Sequence, residues 1–411
     1  MPLAPSRQDL EAFYRAALAG VNGRRAVAAA LEAAAPRVPP PGAFHLLAIG
    51  KAASAMANGV ADVRGGDVAG GLVITRDGYG DPRLSERIPV RQLLAAHPVP
   101  DARSLEAGDA LVDYLQCMPA DARFLFLISG GASSLVERPA GRQDPAALAQ
   151  LNEWLLASGL DIARMNALRK SISSIKGGRL VRWLGGRRAD GLLISDVPGD
   201  DPAVIGSGLL AADRESAHEG QPAEPLPPGM TPGPPPPEAA LFDNVHLQIV
   251  ASNTIARRAC ADAARSEGWR VRVIDELLTG EAEVLGRRVA QSLIDGPPGM
   301  MIMGGEPTVT LPEHPGWGGR MQTLALAAAE SLADTGCLLL AAGTDGADGP
   351  GEDAGAIVDG GTVQRLRRVG FDPARTLSRA DAGNALAAAG DLLQTGPTGT
   401  NVMDLVIGFR P

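Results

Sequence analysis

The chain has 411 residues, a formal net charge of −9 and an aromatic content of 3%. That length exceeds one ordinary core and predicts two domains. The acidic balance and scarce aromatics exclude general nucleic-acid binding, and no apolar run approaches the ~20 residues of a membrane-spanning helix. Cys117, Cys260 and Cys337 are too few and too scattered for a disulfide framework or a zinc site. Met1 to Leu10 is polar, without an apolar signal core, so a cytoplasmic enzyme is the expectation.

An amphipathic helix is expected over Leu10–Leu18, then a strand over His45–Ile49 that ends in Gly50-Lys51-Ala52-Ala53-Ser54 and an alanine-rich helix to Val60. Gly71–Ile74 and Leu93–Ala96 are short apolar runs, the second followed by His97-Pro98, and a helix is expected over Ser104–Met118. Phe124–Ile128 reads as a strand buried on both faces. It ends in Ser129-Gly130-Gly131-Ala132-Ser133, a turn whose glycines admit close backbone approach and whose following helix offers unpaired amides to an anion. Helices are expected over Asp144–Ser158 and Arg164–Lys176, then a strand over Gly191–Ile194 ending in Ser195-Asp196-Val197-Pro198-Gly199-Asp200. This alternation is the pattern of βαβ units and a mostly parallel sheet, with ligands bound outside the carboxyl ends of the strands.

Nine prolines between Pro222 and Pro237 mark an exposed loop or linker near the domain boundary. Beyond it the same grammar is expected to resume. His246–Val250 precedes a helix to Glu267, and Arg270–Ile274 is a strand. Met300–Met303 ends in Gly304-Gly305-Glu306-Pro307-Thr308, an alanine-leucine helix running to about Leu332 follows a polar stretch with His314, Gly318, Gly319 and Arg320, and Cys337–Ala342 ends in Gly343-Thr344-Asp345-Gly346. The last apolar run, Val402–Ile407, is interrupted by Asp404.

Lys51 sits where an ammonium can meet a phosphate or carboxylate, with a solvated lysine as the alternative. The turn is neither a Walker A loop nor a Gly-x-Gly-x-x-Gly fingerprint. Arg169 and Lys176, seven apart on one expected helical face, could line an anion site or form a solvated stripe. Asp196 and Asp345 each stand in a crowd of carboxylates that a divalent cation would relieve, and turn capping is the plainer role for either. Glycines, hydroxyls, a lysine, an arginine and aspartates at strand ends fit phosphoryl transfer, where positioning and charge neutralisation dominate.

Ile49-Gly50-Lys51-Ala52-Ala53, His97-Pro98-Val99-Pro100, Ser129-Gly130-Gly131-Ala132-Ser133, Met165 to Lys170 with Ile175 to Arg179, and Ser195 to Asp200 resemble the glycerate 2-kinase family. Gly304-Gly305-Glu306-Pro307-Thr308, Gly319-Arg320, Thr344 to Gly349 and Thr395 to Asn401 are similar to that family's C-terminal domain. The resemblance implies an α/β protein: a Rossmann-like N-terminal domain with a mostly parallel sheet, residues 1–240, and a smaller C-terminal α/β domain, residues 241–411, with the active site in the cleft between them. It implies phosphorylation of a small hydroxy acid, D-glycerate, at its 2-hydroxyl, with ATP and Mg²⁺ as cofactors. Lys51 and Arg320 would then stabilise the transferring phosphoryl group, and Asp196 would hold metal or orient the hydroxyl. Ser129, Gly130, Gly131, Ser133, Arg169 and Lys176 would meet the substrate. Gly304, Gly305, Glu306, Thr344, Asp345, Gly346, Thr398 and Asn401 would meet the nucleotide, with Asp345 a second metal candidate.

The chain departs from the family pattern where Arg320 is followed by Met321-Gln322-Thr323 instead of Asn-Gln-Glu, where Leu209 replaces a usual proline, and where Ser171 replaces a common histidine. These departures open the identity of the acceptor. Two other readings stand beside the kinase: an NAD(P)-dependent hydroxypyruvate reductase, a label some members carry, and a non-catalytic binder of sugar acids or phosphates. The oligomeric state stays open, a homo-oligomer included.

Overall fold

A computed structural model describes residues 5–33, 39–141, 145–157, 162–213, 226 and 230–411. The chain divides into two compact units, Gly23–Val250 and Met1–Asn22 with Ala251–Pro411. Residues 222–225 and 227–229 of the proline-rich segment and the outer ends of the helix expected over Asp144–Ser158 lie outside the described residues.

The unit Gly23–Val250 holds strands β1 (Phe44–Ile49), β2 (Val68–Arg76), β3 (Val90–Ala95), β4 (Phe124–Ile128), β5 (Ala189–Ile194) and β6 (Val245–Ala251) in the order β3-β2-β1-β4-β5-β6. The pairs β1/β2, β2/β3, β1/β4 and β4/β5 are parallel. Every residue of β4 and β5 is buried, the unbroken pattern of a strand covered on both faces. Phe124 and Phe126 pack with Leu111 and Leu115 from the helix Ala102–Cys117 and with Leu180 and Leu184. From β1 the chain steps outward to β2 and β3, then returns beside β1 as β4 and proceeds the other way. The sheet therefore reverses direction between β1 and β4, and the crevice outside their carboxyl ends is the natural ligand position of such a sheet.

One helix is shorter than its sequence pattern predicts. It runs Ile162–Ile172 and ends four residues before Lys176. The backbone leaves the helix because Ser173 bridges Pro139, while Ala140 N–H donates to Ile172 O at 2.7 Å and Ser174 N–H to Arg138 O at 2.7 Å. Arg169 and Lys176 therefore do not share a helical face.

The other unit begins with the helix Arg7–Val21, capped by Ser6, which accepts from Asp9 N–H in a capping box. Its buried face, Leu10, Phe13, Tyr14, Ala17, Leu18 and Val21, packs on the helix Asn253–Ser266, where Gly20 allows close approach to Ala259. Tyr14 Oη donates to Gly343 O at 2.5 Å. These contacts put residues 5–22 with the C-terminal chain, whereas the sequence assigned residues 1–240 to one domain and 241–411 to the next. Strand pattern alone cannot say which sheet a leading amphipathic helix covers.

In this unit β7 (Val271–Val273), β8 (Leu278–Glu281), β9 (Gly299–Thr308), β10 (Leu338–Gly343), β11 (Gly355–Asp359), β12 (Leu392–Leu393) and β13 (Asp404–Arg410) form a sheet ordered β12-β11-β10-β13-β9-β7, with β8 on β9. It is mixed, unlike the parallel sheet that resumed βαβ grammar predicts. The link from β10 to β11 carries no crossover helix, so the two pair antiparallel, and β13 enters antiparallel to both β10 and β9. No described helix is long and apolar enough to cross a membrane.

Candidate active site

In the unit Gly23–Val250 the turns after β1 and β4 are fastened to each other. Lys51 N–H donates to Gly130 O at 2.9 Å, Ala52 N–H to Ser129 Oγ at 3.1 Å, and Ser129 N–H to Ile49 O at 3.0 Å. Ser129 is fully buried, so its hydroxyl works as a latch between the turns. Gly50, at φ 132°, has no room for a Cβ beside Ser129. Gly131, at φ 83°, would place a Cβ 2.9 Å from His97 Cδ2 and 3.1 Å from Lys51 Cγ. The turns after β1, β3 and β4 thus bring Lys51, His97 and Gly131 together. Gly131→Ala is expected to cost about 1–2 kcal/mol of stability in denaturant unfolding, because alanine would be strained in φ and crowd the His97 ring. An unchanged midpoint would contradict this geometry.

Ser207 Oγ donates to Ser133 Oγ at 2.8 Å, which ties the turn to the segment after β5. Asp196, the second residue after β5, is half-buried.

The basic stretch is largely committed to the protein itself. Lys176 is fully buried and ion-paired with Glu137, whose other oxygen accepts from Ser173 Oγ at 2.9 Å. A lysine enclosed in this way offers no ammonium face to a ligand, which removes it from the substrate-facing residues. Lys170 Nζ donates to Ala203 O at 3.0 Å and pairs with Asp213 at 3.1 Å, and Arg179 donates to the carbonyls of Lys170 and Lys176. Arg169 is half-buried; burial holds its guanidinium below the ordinary arginine value, with Glu137 opposing.

In the other unit Gly304, Gly305 and Glu306 lie inside β9, not in a turn after it. Gly304 leaves space for Asn253, whose Nδ2 donates to Val402 O at 2.9 Å and Asp404 O at 3.0 Å. Arg320 opens the helix Arg320–Leu332. Its Nε and Nη2 donate to the two oxygens of Asp404 at 2.6 and 3.1 Å, and its Nη1 to Glu306 at 3.1 Å. Burial opposes the Arg320 charge, but Asp404 and Glu306 outweigh it, so the guanidinium is held above its ordinary value. Burial pushes the Asp404 carboxyl up to about 7 although Arg320 opposes the shift. The sequence showed Asp404 only as a break in an apolar run. A charged residue placed directly before the apolar run Leu405–Phe409 of the closing strand is the signal that could have found it.

Asp348 accepts from Met321 N–H at 3.1 Å and Gln322 N–H at 2.7 Å, holding the start of the Arg320 helix. Burial raises its carboxyl to about 6 against the usual 3.8, with those two backbone bonds opposing. A raised folded-state value favours the folded chain below pH 3.8, and that contribution is lost as pH rises through about 6. Asp348→Asn is expected to flatten the unfolding midpoint across this window in calorimetric scans, and an unaltered slope would contradict the assignment.

Thr344 Oγ1 donates to Met403 O at 2.6 Å and accepts from Val402 N–H at 2.8 Å, and Thr398 Oγ1 donates to Thr344 O at 2.6 Å. Gly346, at φ 89°, lies against the Gly396 carbonyl, so the loops carrying Asp345 and Thr398 are packed together, with Asn401 half-buried beyond them. Asp345 Oδ1 accepts from Ala347 N–H at 3.2 Å, a turn cap. Met321 and Thr323, the departures after Arg320, are both buried, and Thr323 Oγ1 donates to Gly319 O at 2.8 Å. Among the described residues no three His, Cys, Asp or Glu side chains gather as a metal cage.

Residues 9–221 match a family model described as a domain of unknown function, DUF4147, and residues 299–404 match the MOFRL family. A D-glycerate 2-kinase from Thermotoga maritima is 34% identical over 89% of this chain and 90% of its own length. A glycerate 2-kinase from Pyrococcus horikoshii is 35% identical over 90% and 87%. A protein from Agrobacterium vitis named as a hydroxypyruvate reductase is 36% identical over 97% and 93%. The crystal structure of glycerate kinase from Thermotoga maritima superposes with a TM-score of 0.82 at 31% identity, covering 98% of each chain.

Proposed function

The chain belongs to the glycerate 2-kinase family, and from that premise we propose that it transfers the γ-phosphoryl group of ATP to the 2-hydroxyl of D-glycerate, giving 2-phosphoglycerate and ADP. The observation that carries this reading is the fastening of the Lys51 turn to the Ser129–Ser133 turn at the point where the parallel sheet reverses direction. A lysine and a Cβ-free glycine stand there at the carboxyl ends of β1 and β4, a position suited to an anionic group.

In this account Lys51 and Arg320 neutralise charge on the equatorial oxygens of the transferring phosphoryl group. Gly131 and Ser133, with the half-buried Arg169, meet the acid. Asp196 orients the 2-hydroxyl or accepts its proton as the new P–O bond forms and the bond to ADP breaks. The loops carrying Thr344, Asp345, Gly346, Thr398 and Asn401, with the β9 residues Gly304, Gly305 and Glu306, are assigned to the nucleotide.

The donor set fits Mg²⁺, which uses one or two carboxylates beside substrate phosphates and needs no protein cage. Asp196 and Asp345, each half-buried at a strand end, are the carboxylates proposed for it. The ion, held by these carboxylates, would supply positive charge to offset the charge on the nucleotide phosphates.

A coupled ADP-release assay with ATP and Mg²⁺, run on D-glycerate beside other hydroxy and sugar acids, tests the reading. Turnover on D-glycerate supports it, and silence across the panel counts against it. The same protein incubated with hydroxypyruvate and NAD(P)H tests the reductase name carried by one relative. No nicotinamide oxidation is expected, because the β1 turn, Gly50-Lys51-Ala52-Ala53-Ser54, lacks the glycine fingerprint for a dinucleotide.

A further inference from the structure

A second concave site lies in the unit Gly23–Val250, on the flank of the helix Ala53–Arg64. It is a cavity of 670 Å³ lined by Arg24, Asn58, Asp81, Pro82, Arg83 and Arg87. Three guanidinium groups in one cavity are unexpected in a chain of net charge −9. They come from three separate segments: the helix Gly23–Glu32, the loop after β2, and the short helix Leu84–Arg87.

Two of the arginines are held by side-chain bonds. Arg24 grips Asp62 with two bonds, at 2.5 and 2.8 Å, and Arg87 reaches the same carboxylate at 2.5 Å and also donates to Asn58 Oδ1. Asn58, itself buried, donates to Ser54 O at 3.0 Å and to Asp81 at 2.8 Å. Arg83 is exposed and is fixed through its backbone, whose N–H donates to Asp81 Oδ1 at 3.0 Å. Three positive charges therefore face two carboxylates, Asp62 and Asp81, and a net positive charge remains. Each guanidinium carries five N–H donors in a planar fork, more than these bonds consume.

We infer that this cavity is a binding site for a small oxyanion, a metabolite bearing a phosphate or a carboxylate, separate from the Lys51 turn. Its volume suits a molecule of sugar-phosphate size. Asn58 lies about 8 Å along the helix from Ala53, the residue that opens the helix just after Lys51, so the two positions are distinct on this element.

The test is calorimetric titration of Lys51→Ala protein with inorganic phosphate and, in parallel, with malonate. Saturable binding of either anion is expected in this background, and Arg83→Ala should weaken it about tenfold, the effect of losing one charge-assisted contact. Arg83 is exposed, and Arg83→Ala should melt with the Lys51→Ala parent in buffer without anion. Which anion binds more tightly, with the same dependence on Arg83, identifies the group the site prefers. Absence of binding in the Lys51→Ala protein, or binding indifferent to Arg83, would overturn the inference.

Discussion

Lys51→Ala is expected to lower the rate of phosphoryl transfer by about 10³-fold or more while leaving the unfolding midpoint almost unchanged. The separation of the two effects follows from the geometry. One contact that fastens Lys51 to the neighbouring turn is its backbone N–H on Gly130 O, which alanine also supplies. The side chain is lost, and with it the charge assigned to the transferring group. A variant that turns over at the parent rate would remove Lys51 from the chemistry.

Arg320 needs a different substitution, because Arg320→Ala would strand Asp404, 2% exposed, without its ion-pair partner. Arg320→Lys keeps a positive charge but cannot make the two-pronged contact with Asp404. It is expected to lower kcat while KM for the acid changes little, since the arginine is assigned to charge that develops during transfer. Equal loss in KM alone would assign Arg320 to binding the acid.

The second large effect concerns stability. Lys176→Met is expected to cost about 3–5 kcal/mol, because it leaves Glu137 buried with no countercharge. The double variant Glu137→Leu/Lys176→Met should recover most of that loss, since no unpaired buried charge remains, although Ser173 Oγ and Arg138 N–H lose an acceptor. Chemical denaturation of both single variants and the double variant gives the coupling directly. Additive losses would mean that the pair contributes nothing as a pair.

The contrast between Lys51 and Lys176 explains how much of the site was legible in the sequence. Lys51 follows a buried strand and a glycine, and that local pattern already places it at a strand end. Lys176 lies in an equally basic, glycine-rich motif, but its role depends on Glu137, thirty-nine residues away, and on a helix that stops at Ile172. Nothing local announces either. The parallel sheet of the first unit was legible because β4 and β5 are apolar throughout, the mark of burial on both faces. The mixed sheet of the second was not, since strand direction is set by the links, and an apolar run reads alike in both directions. The same limit hid the placement of the helix Arg7–Val21, whose amphipathic face was evident and whose partner was not. Asp404 was read as an interruption because its importance lies in meeting Arg320, which belongs to a different element.

The central claim is transfer to the 2-hydroxyl of D-glycerate, and the most direct measurement is two-dimensional ¹H–³¹P NMR of the product formed from ATP and D-glycerate. A phosphorus signal correlated with the single proton on C2 is the predicted result. Correlation with the C3 methylene protons, or no phosphorylated acid at all, would contradict it.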